Sequence, residues 1–214
     1  MKIEEVLNLK FSSLVLRRVL RILFREGKYY TVRFGRLKGL KSYYRKDINF
    51  HTLIGLWETD SVEALDKIIR QFGLHDRDII VADVGANMGY YTMYFSNNLS
   101  SGSRIYAFEP SISILDVLKR NVNINHLNNV EIVEAACAQS TGMVEFYIGH
   151  NHHKSSMLES WSDNATKGTL TKVRSVSIDD FFGNDHLGEY PDLIKIDIEG
   201  AAVFALKGSE KCLQ

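Results

Sequence analysis

The stretch DIIVADVGANMGYYTMYFSNNL, residues 78–99, predicts a strand, a glycine turn and a helix in that order. Residues 79–84 are almost wholly apolar, as in a strand that is buried on both faces. Gly85 and Gly89 frame the turn, and residues 90–99 continue as a helix. Glycine permits tight backbone geometry and the close approach of a ligand. The stretch therefore predicts the first unit of a parallel α/β sheet with a small-molecule site at its turn.

Strands and helices alternate through the rest of the chain. Apolar strands are predicted over 104–108, 130–135 and 192–198, and helices over 111–125 and 200–207. This alternation is typical of a Rossmann-like, doubly wound parallel sheet of the α/β class, covered by helices on both faces. Two added strands, 142–148 and 172–178, flank a polar, histidine-rich loop at 149–169. Loops of that length are usually functional, which makes this one a candidate substrate loop.

We predict two parts, a small cap over residues 1–60 and the α/β domain over residues 61–214. The cap includes a β-hairpin formed by residues 29–34 and 40–44. Ser61 is the predicted N-cap of the domain's first helix, residues 62–72, because its hydroxyl can accept a hydrogen bond from a free backbone N–H. Asp179 and Asp180 are predicted as the N-cap and first-turn acids of a later helix.

The first fifty residues are strongly basic, with thirteen Lys and Arg against four Asp and Glu. Apolar residues recur among these arginines at helical spacing. Such a segment suits either an amphipathic helix on an anionic membrane surface or a helix docked on its own domain. Its apolar runs are too short and too charged to span a bilayer, and no small-residue cleavage site follows them.

The composition narrows the class of protein. The 214 residues carry no net charge, and the two cysteines, Cys137 and Cys212, lack the spacing of a zinc site. We therefore predict neither a disulfide nor a metal, and a cytoplasmic setting. Nucleic acid is not an expected partner, because the basic residues lie in the cap and no aromatic and basic stacking platform accompanies the glycine turn.

The glycine turn favours a nucleoside without phosphates. It lacks the G-x-G-x-x-G spacing that places a pyrophosphate on a helix N-terminus, and it has no P-loop lysine. Glu109 ends the second strand about twenty residues later, where a carboxylate accepts the ribose hydroxyl protons. This combination favours S-adenosylmethionine as the cofactor. An NAD-dependent oxidoreductase is an alternative, but the third glycine of its fingerprint is missing.

Three motifs together resemble one known family. Residues 83–92 (DVGANMGYYT), 107–110 (AFEP) and 193–200 (LIKIDIEG) look like the FkbM family of S-adenosylmethionine-dependent methyltransferases. The resemblance implies a class I methyltransferase sheet and O-methylation of a hydroxyl on a sugar or natural product. It also implies a set of residues around the cofactor. These are Asp83, Gly85, Asn87, Gly89 and Thr92 near the methionine moiety, Glu109 on the ribose, and Ala136 and Cys137 beside the adenine.

Methyl transfer to a hydroxyl needs alignment of the reacting atoms and a group that accepts the proton. We expect only one of Asp197 and Glu199 to enter the crevice, and we choose Asp197 as the catalytic carboxylate. Its structural alternative is a helix-capping acid or a partner of Lys195. His153, in a cluster with His150 and His152, is the second candidate base, because a neutral imidazole accepts protons near pH 7.

Two departures from the family pattern bear on activity. Residues 199–202 read EGAA where family members commonly have EGAE, so Ala202 replaces an acid. Family members also continue past the position of Gly208 with a further strand and an antiparallel hairpin, so we expect either a fragment or a sheet that is short on one side, with one strand edge left uncovered. A methyltransferase-like binding or interaction protein without turnover is therefore a second hypothesis. The identity of the acceptor and the oligomeric state are left open by the sequence.

Overall fold

The computed structural model describes residues 24–45, 52–53, 55, 57–149, 155–158, 169–185 and 188–214. The strands are β1 (Tyr29–Thr31), β2 (Lys41–Tyr43), β3 (Ile80–Val84), β4 (Arg104–Phe108), β5 (Val130–Val133), β6 (Ala136–Cys137), β7 (Gly142–Ile148), β8 (Thr169–Val176) and β9 (Leu193–Ile196). The helices are α1 (Thr59–Gln71), α2 (Tyr90–Asn98), α3 (Ile112–Ile124), α4 (Ile178–Asp180) and α5 (Ala202–Lys207). The predicted basic helix and the histidine cluster lie outside the described residues, so both stay predictions.

Four parallel strands form the central sheet in the order β5-β4-β3-β9. The chain runs from β3 through α2 to β4 and through α3 to β5, always toward one side. β9 joins β3 on the opposite side, with Val81 paired to both Ile105 and Leu193. The strand order thus reverses between β3 and β9, and such a reversal opens a crevice at the carboxyl ends of the strands. The predicted Rossmann-like α/β class is confirmed.

The central strands are apolar along both faces because each face enters a different core. Side chains alternate along a strand, so Val81 and Ile105 pack on the side of α1 and α2. Val84 and Phe108 point the other way and pack with Phe182, which follows α4. Burial on both faces explains why the predicted strands read as continuous apolar runs.

The predicted hairpin of the cap is present as the antiparallel pair β1 and β2. Its β2 strand is held to α3 by two asparagines. The Asn125 side chain accepts from the Lys41 N–H and donates to the Lys41 carbonyl, both at 2.7 Å, while Asn121 Oδ1 accepts from the Tyr43 N–H at 2.7 Å. The Asn125 amide thus pairs with the strand edge as a neighbouring strand would, while the Asn121 amide joins β2 to the glycine turn by donating to the Met88 carbonyl at 2.8 Å. The predicted boundary between residues 60 and 61 falls in the first turn of α1 and stays a prediction.

β6, β8 and β7 form a second, three-stranded sheet in that order. β8 pairs antiparallel with β7 and parallel with β6. The third predicted strand, 130–135, is shorter than expected: β5 ends at Val133, and the chain enters the second sheet at Ala136, just past the predicted range. Within the described ranges, no helix is long and apolar enough to cross a membrane.

Three local predictions are wrong. α1 begins at Thr59, because Glu58 adopts a left-handed conformation with φ 48° and serves as the N-cap in place of Ser61. The N-cap of α4 is Ser177, whose hydroxyl accepts from the Asp180 N–H at 3.0 Å, so Asp179 is a first-turn acid. The helical spacing of Ile112, Leu115 and Leu118 predicts that all three face the core from α3, but Ile112 is 83% exposed because it occupies the first position of the helix, outside the core.

Candidate functional site

A cavity of about 190 Å³ lies at the carboxyl ends of β3, β4 and β9, where the strand order reverses. The lining of this cavity has two sides, which different segments of the chain supply. The inner side consists of the glycine turn, the end of β4 and the chain around β6, namely residues 85–88, 108–110 and 135–137. The open side includes Thr52, Trp57, Glu58, Phe146, Ser155, Ser156, Met157, Asp197 and Glu199. Lys195, Tyr90 and Tyr91 lie between the two sides.

The glycine turn is shaped by the close approach of β3 and β9. Gly85 has φ +78°, and a Cβ atom built there would lie 2.2 Å from the Asp197 carbonyl oxygen. No other residue fits at this position without moving a backbone. The N–H groups of Gly85 and Ala86 both donate to the Phe108 carbonyl, at 3.1 and 2.9 Å. The turn is therefore tied to the end of β4 as well as pressed against the end of β9.

Glu109 is the buried acid of the inner side, with 7% of its surface exposed. Its Oε1 accepts from the Ser111 N–H at 2.8 Å and its Oε2 from the Asn87 N–H at 3.0 Å. Burial raises the pKa of Glu109 to about 7, against the lowering effect of these two donors and of Lys195. A carboxylate has about four acceptor positions, so room is left for two more donors. A ribose diol supplies two such donors.

The other residues predicted around the cofactor divide into two groups. The first group, Asn87, Ala136 and Cys137, lines the cavity together with Gly85. Burial raises the pKa of the Cys137 thiol and keeps it protonated. Asp83 and Thr92 are fully buried beneath the turn, where the Thr92 hydroxyl donates to Asp83 Oδ2 at 2.6 Å.

Asp83, Thr92 and Gly89 are absent from the cavity lining within the described residues. Gly89 instead has φ +90° and starts α2 as its N-cap. These three residues support the turn from below, in contrast to Gly85, Asn87 and Glu109, which face the cavity. The assignment of individual residues to a cofactor stays a prediction.

Lys195 is the main residue that the sequence reasoning missed. It was weighed only as a partner of Asp197, yet its ammonium group lies 3.1 Å from Asp83 Oδ1, 3.3 Å from the Gly85 carbonyl oxygen and 3.8 Å from Asp197 Oδ2. It also lies 4.6 Å from the centre of the Tyr91 ring. A lysine inside an otherwise apolar strand was the available signal, because a buried ammonium needs partners.

Asp197 lines the cavity, and 61% of its side chain is exposed. Glu199 lines the cavity too, and its backbone carbonyl accepts from the Ser156 hydroxyl at 2.6 Å. The choice of Asp197 as the one carboxylate that faces the acceptor stays a prediction. Ala202 begins α5 and does not belong to the lining that the described residues form. His153 lies outside the described residues.

The open side also contains Glu58 and Ser156, which lie outside the three motifs. The Tyr91 hydroxyl donates to Glu58 Oε2 at 2.5 Å, and burial together with Glu58 raises the pKa of Tyr91. The same causes raise the pKa of Tyr90 to about 12. The Ser156 hydroxyl donates to the Glu199 carbonyl at 2.6 Å. Contacts between such distant segments leave no local pattern in a sequence.

The fold and the cavity define a Rossmann-like α/β domain with a cavity at the carboxyl ends of its strands, where folds of this class bind their ligands. The profile of the methyltransferase FkbM domain matches residues 83–214, which is more than half of the chain. The chain belongs to the FkbM methyltransferase family, which confirms the resemblance of its motifs.

Two relatives and one solved structure illustrate the similarity. The chain is 26% identical over 157 residues to methyltransferase sdnD of Sordaria araneosa, covering 61% of this chain and 60% of that protein. It is 25% identical over 143 residues to the hexuronic acid methyltransferase AglP of Haloferax volcanii, covering 65% and 53%. It is also similar to the crystal structure of methyltransferase FkbM from Methylobacillus flagellatus KT, with 20% identity, a TM-score of 0.41 and coverage of 64% and 30%. The chain thus spans little more than half the length of these two relatives.

Proposed function

We propose that this methyltransferase uses S-adenosylmethionine and transfers its methyl group to a hydroxyl of a sugar or natural product. The observation that carries the proposal is the position of Glu109. Its buried carboxylate ends β4, faces the cavity, and is joined through the Asn87 N–H to the glycine turn. A turn without phosphate-binding spacing beside a ribose acid supports a nucleoside cofactor that has no phosphates.

Each side of the cavity would then have its own task. When bound, S-adenosylmethionine supplies an electrophilic methyl group on a sulfonium. Glu109 would accept the ribose hydroxyl protons, Gly85 and Asn87 would border the methionine moiety, and Ala136 with Cys137 would border the adenine. The apolar lining at Cys137 and Phe108 suits a purine ring.

The acceptor would enter from the open side. Asp197 would accept the hydroxyl proton as the new bond to oxygen forms, because its exposed carboxylate lies at the cavity and is paired only loosely with Lys195. His153 is the second candidate for this role. Support for a sugar acceptor comes from the relative AglP, a hexuronic acid methyltransferase, and from Trp57 and Tyr91, aromatic side chains of a kind that stack on sugar rings.

The first experiment is a calorimetric titration of the chain with S-adenosylmethionine and S-adenosylhomocysteine, with NAD as the control. We expect binding of the first two at about micromolar Kd and no binding of NAD. Binding of NAD instead would overturn the cofactor proposal. A folded chain that binds neither sulfur compound would do the same.

Transfer to an acceptor needs a separate assay. Incubation with methyl-labelled cofactor and a panel of sugar and polyketide hydroxyl compounds should label a member of the panel at oxygen. Labelling at nitrogen or carbon would contradict O-methylation. Cofactor binding with no labelled acceptor in any fraction would favour the alternative hypothesis, a binding protein without turnover.

A further inference from the structure

Lys195 is a nearly buried cation between the two sides of the cavity. Its side chain is 14% exposed, and its ammonium group contacts groups that belong to three different segments. Asp83 comes from β3, the Gly85 carbonyl from the glycine turn, and Asp197 from the chain after β9. Tyr91 of α2 covers the ammonium with its ring.

We propose that Lys195 is a positioning residue, whose ammonium group holds the glycine turn and Asp197 in the arrangement that binds the cofactor and faces the acceptor. The inference rests on the proposed function of the cavity as an S-adenosylmethionine site. It gives Lys195 a role in that site, whereas the sequence indicated Lys195 only as a partner of Asp197.

The hydrogen bonds of the turn support this role. Toward β4, the N–H groups of Gly85 and Ala86 donate to the Phe108 carbonyl, and the Asn87 N–H donates to Glu109. Toward β9, the Lys195 ammonium group donates to the Gly85 carbonyl. Gly85 is partly buried, and a carbonyl that loses its hydrogen-bond donor there costs free energy, so loss of the ammonium group favours a turn that rotates Gly85 away. Such a rotation would also move the Asn87 N–H from Glu109.

Charge supports the same role. Among the residues that line the cavity in the described part of the chain, Lys195 is the one cation, against the carboxyl groups of Glu58, Glu109, Asp197 and Glu199. Asp83 adds a fifth carboxyl group below the turn. Asp83 and Glu109 are the buried members of this set, and the ammonium group of Lys195 offsets the repulsion between their carboxylates.

The electrostatic effect reaches Glu109 without contact. Glu109 is faced by Asp83 of β3, by Lys195 of β9 and by the N–H groups of Asn87 and Ser111. Lys195 lowers the pKa of Glu109 and Asp83 raises it. Lys195 itself faces Asp83, Asp197 and the Tyr91 ring, whose hydroxyl is bonded to Glu58.

The test measures S-adenosylhomocysteine binding by calorimetry from about pH 5 to about pH 9, for the wild type and Lys195→Met. Lys172→Met is the matched control, because Lys172 is exposed on β8. We expect Lys195→Met to bind about tenfold more weakly at its best pH, and its affinity to reach a plateau at a higher pH than in the wild type. Lys172→Met should keep both properties.

A second variant separates positioning from simple charge balance and guards against misfolding. Asp83→Asn combined with Lys195→Met leaves no unpaired charge below the turn, so it should fold. The pH dependence should return toward that of the wild type, while the affinity should stay about tenfold reduced because the Gly85 carbonyl still lacks its donor. Wild-type affinity in the double variant would mean that Lys195 only balances Asp83, and would overturn the inference.

The outcomes also separate the inference from the proposed function. If the wild type binds neither S-adenosylhomocysteine nor S-adenosylmethionine, the cofactor proposal and the inference both fail. If the wild type binds and Lys195→Met binds equally well with the same pH dependence, the inference alone fails.

Discussion

The inner and open sides of the cavity meet at Lys195 but are built in opposite ways. On the inner side, Glu109 is 7% exposed and both of its oxygens accept backbone N–H groups. On the open side, Asp197 has 61% of its side chain exposed and a single loose ion pair at 3.8 Å. Glu109 is fixed by two backbone N–H groups, while Asp197 is exposed and is held only by its long contact with Lys195.

This difference separates binding from chemistry. A buried, fixed hydrogen-bond acceptor such as Glu109 is preorganised, and this preorganisation raises the affinity of the site for a ligand that donates to it. An exposed carboxylate such as Asp197 contributes little to affinity, because water screens its charge, yet it can accept a proton from a bound acceptor. Changes on the inner side should therefore affect cofactor binding, and changes on the open side should affect turnover.

The largest effect is expected for Asp197→Asn, which removes the proton acceptor but keeps the shape of the side chain. Turnover with a labelled acceptor should fall about 1,000-fold, while the Kd of S-adenosylhomocysteine should change less than about threefold. Glu199→Gln is the control from the same side, and it should keep most of the turnover. An equal loss of cofactor affinity in Asp197→Asn would contradict the division between the two sides.

The next largest effect is expected for Gly85→Ala, at the contact between β3 and β9. Its φ of +78° and the 2.2 Å approach of the Asp197 carbonyl should lower the free energy of unfolding by about 4 kcal/mol. Gly39→Ala has φ +94° but no atom within 4 Å of the added Cβ, so it should cost about 1 kcal/mol. Urea denaturation measures both, and similar losses would show that backbone conformation alone matters.

A third effect concerns pH and the stability of the ligand-free chain. Burial raises the pKa of Glu109 to about 7, so the folded state favours its protonated form. The stability from this group is fully present below about pH 4.5 and is lost as the pH rises through about 7, a change of about 3 kcal/mol. Denaturation of the wild type and Glu109→Gln at several pH values should show this loss in the wild type alone. Parallel curves would mean that Glu109 has an ordinary pKa.

The smallest of the four effects is the loss of cofactor affinity in Glu109→Gln at neutral pH. The amide keeps the volume of the side chain but loses the charged acceptor, so S-adenosylhomocysteine should bind about 100-fold more weakly. Calorimetry with Glu134→Gln, an exposed acid paired with Lys119 on the surface, provides the control. Unchanged binding in Glu109→Gln would remove Glu109 from the ribose site.

The two sides also differ in how far the sequence predicted them. The strand of residues 104–108 and the strand of residues 142–148 were predicted with the bounds that the structure has, since each is an apolar or alternating run between turn residues. The glycine turn and Glu109 follow such strands directly. Parallel strands place their carboxyl ends together, so a linear pattern sufficed to bring Gly85, Asn87 and Glu109 to one cavity.

Predictions failed where a local preference met a tertiary contact. Ser61 is a residue type that often caps helices, but the N-cap of α1 is Glu58, whose carboxylate accepts from the Tyr91 hydroxyl. The cofactor roles of Asp83 and Thr92 stay predictions: both belong to the glycine motif, and both lie below the turn, outside the cavity lining that the described residues form. The motif identified residues that act together and left open which of them faces the ligand.

The fold class, the family and the inner side of the cavity follow from the sequence, because the period of apolar residues and the glycine spacing act over a few residues at a time. The contacts of Lys195 with Asp83 and the Gly85 carbonyl, and the contacts of Glu58 and Ser156, depend on the folded chain. They join segments that are far apart in sequence, and their distances are decided by the strand order and by the packing of β9 against β3. The strand order and the packing of β9 against β3 leave no local pattern in the sequence, so only the tertiary structure brings these side chains together.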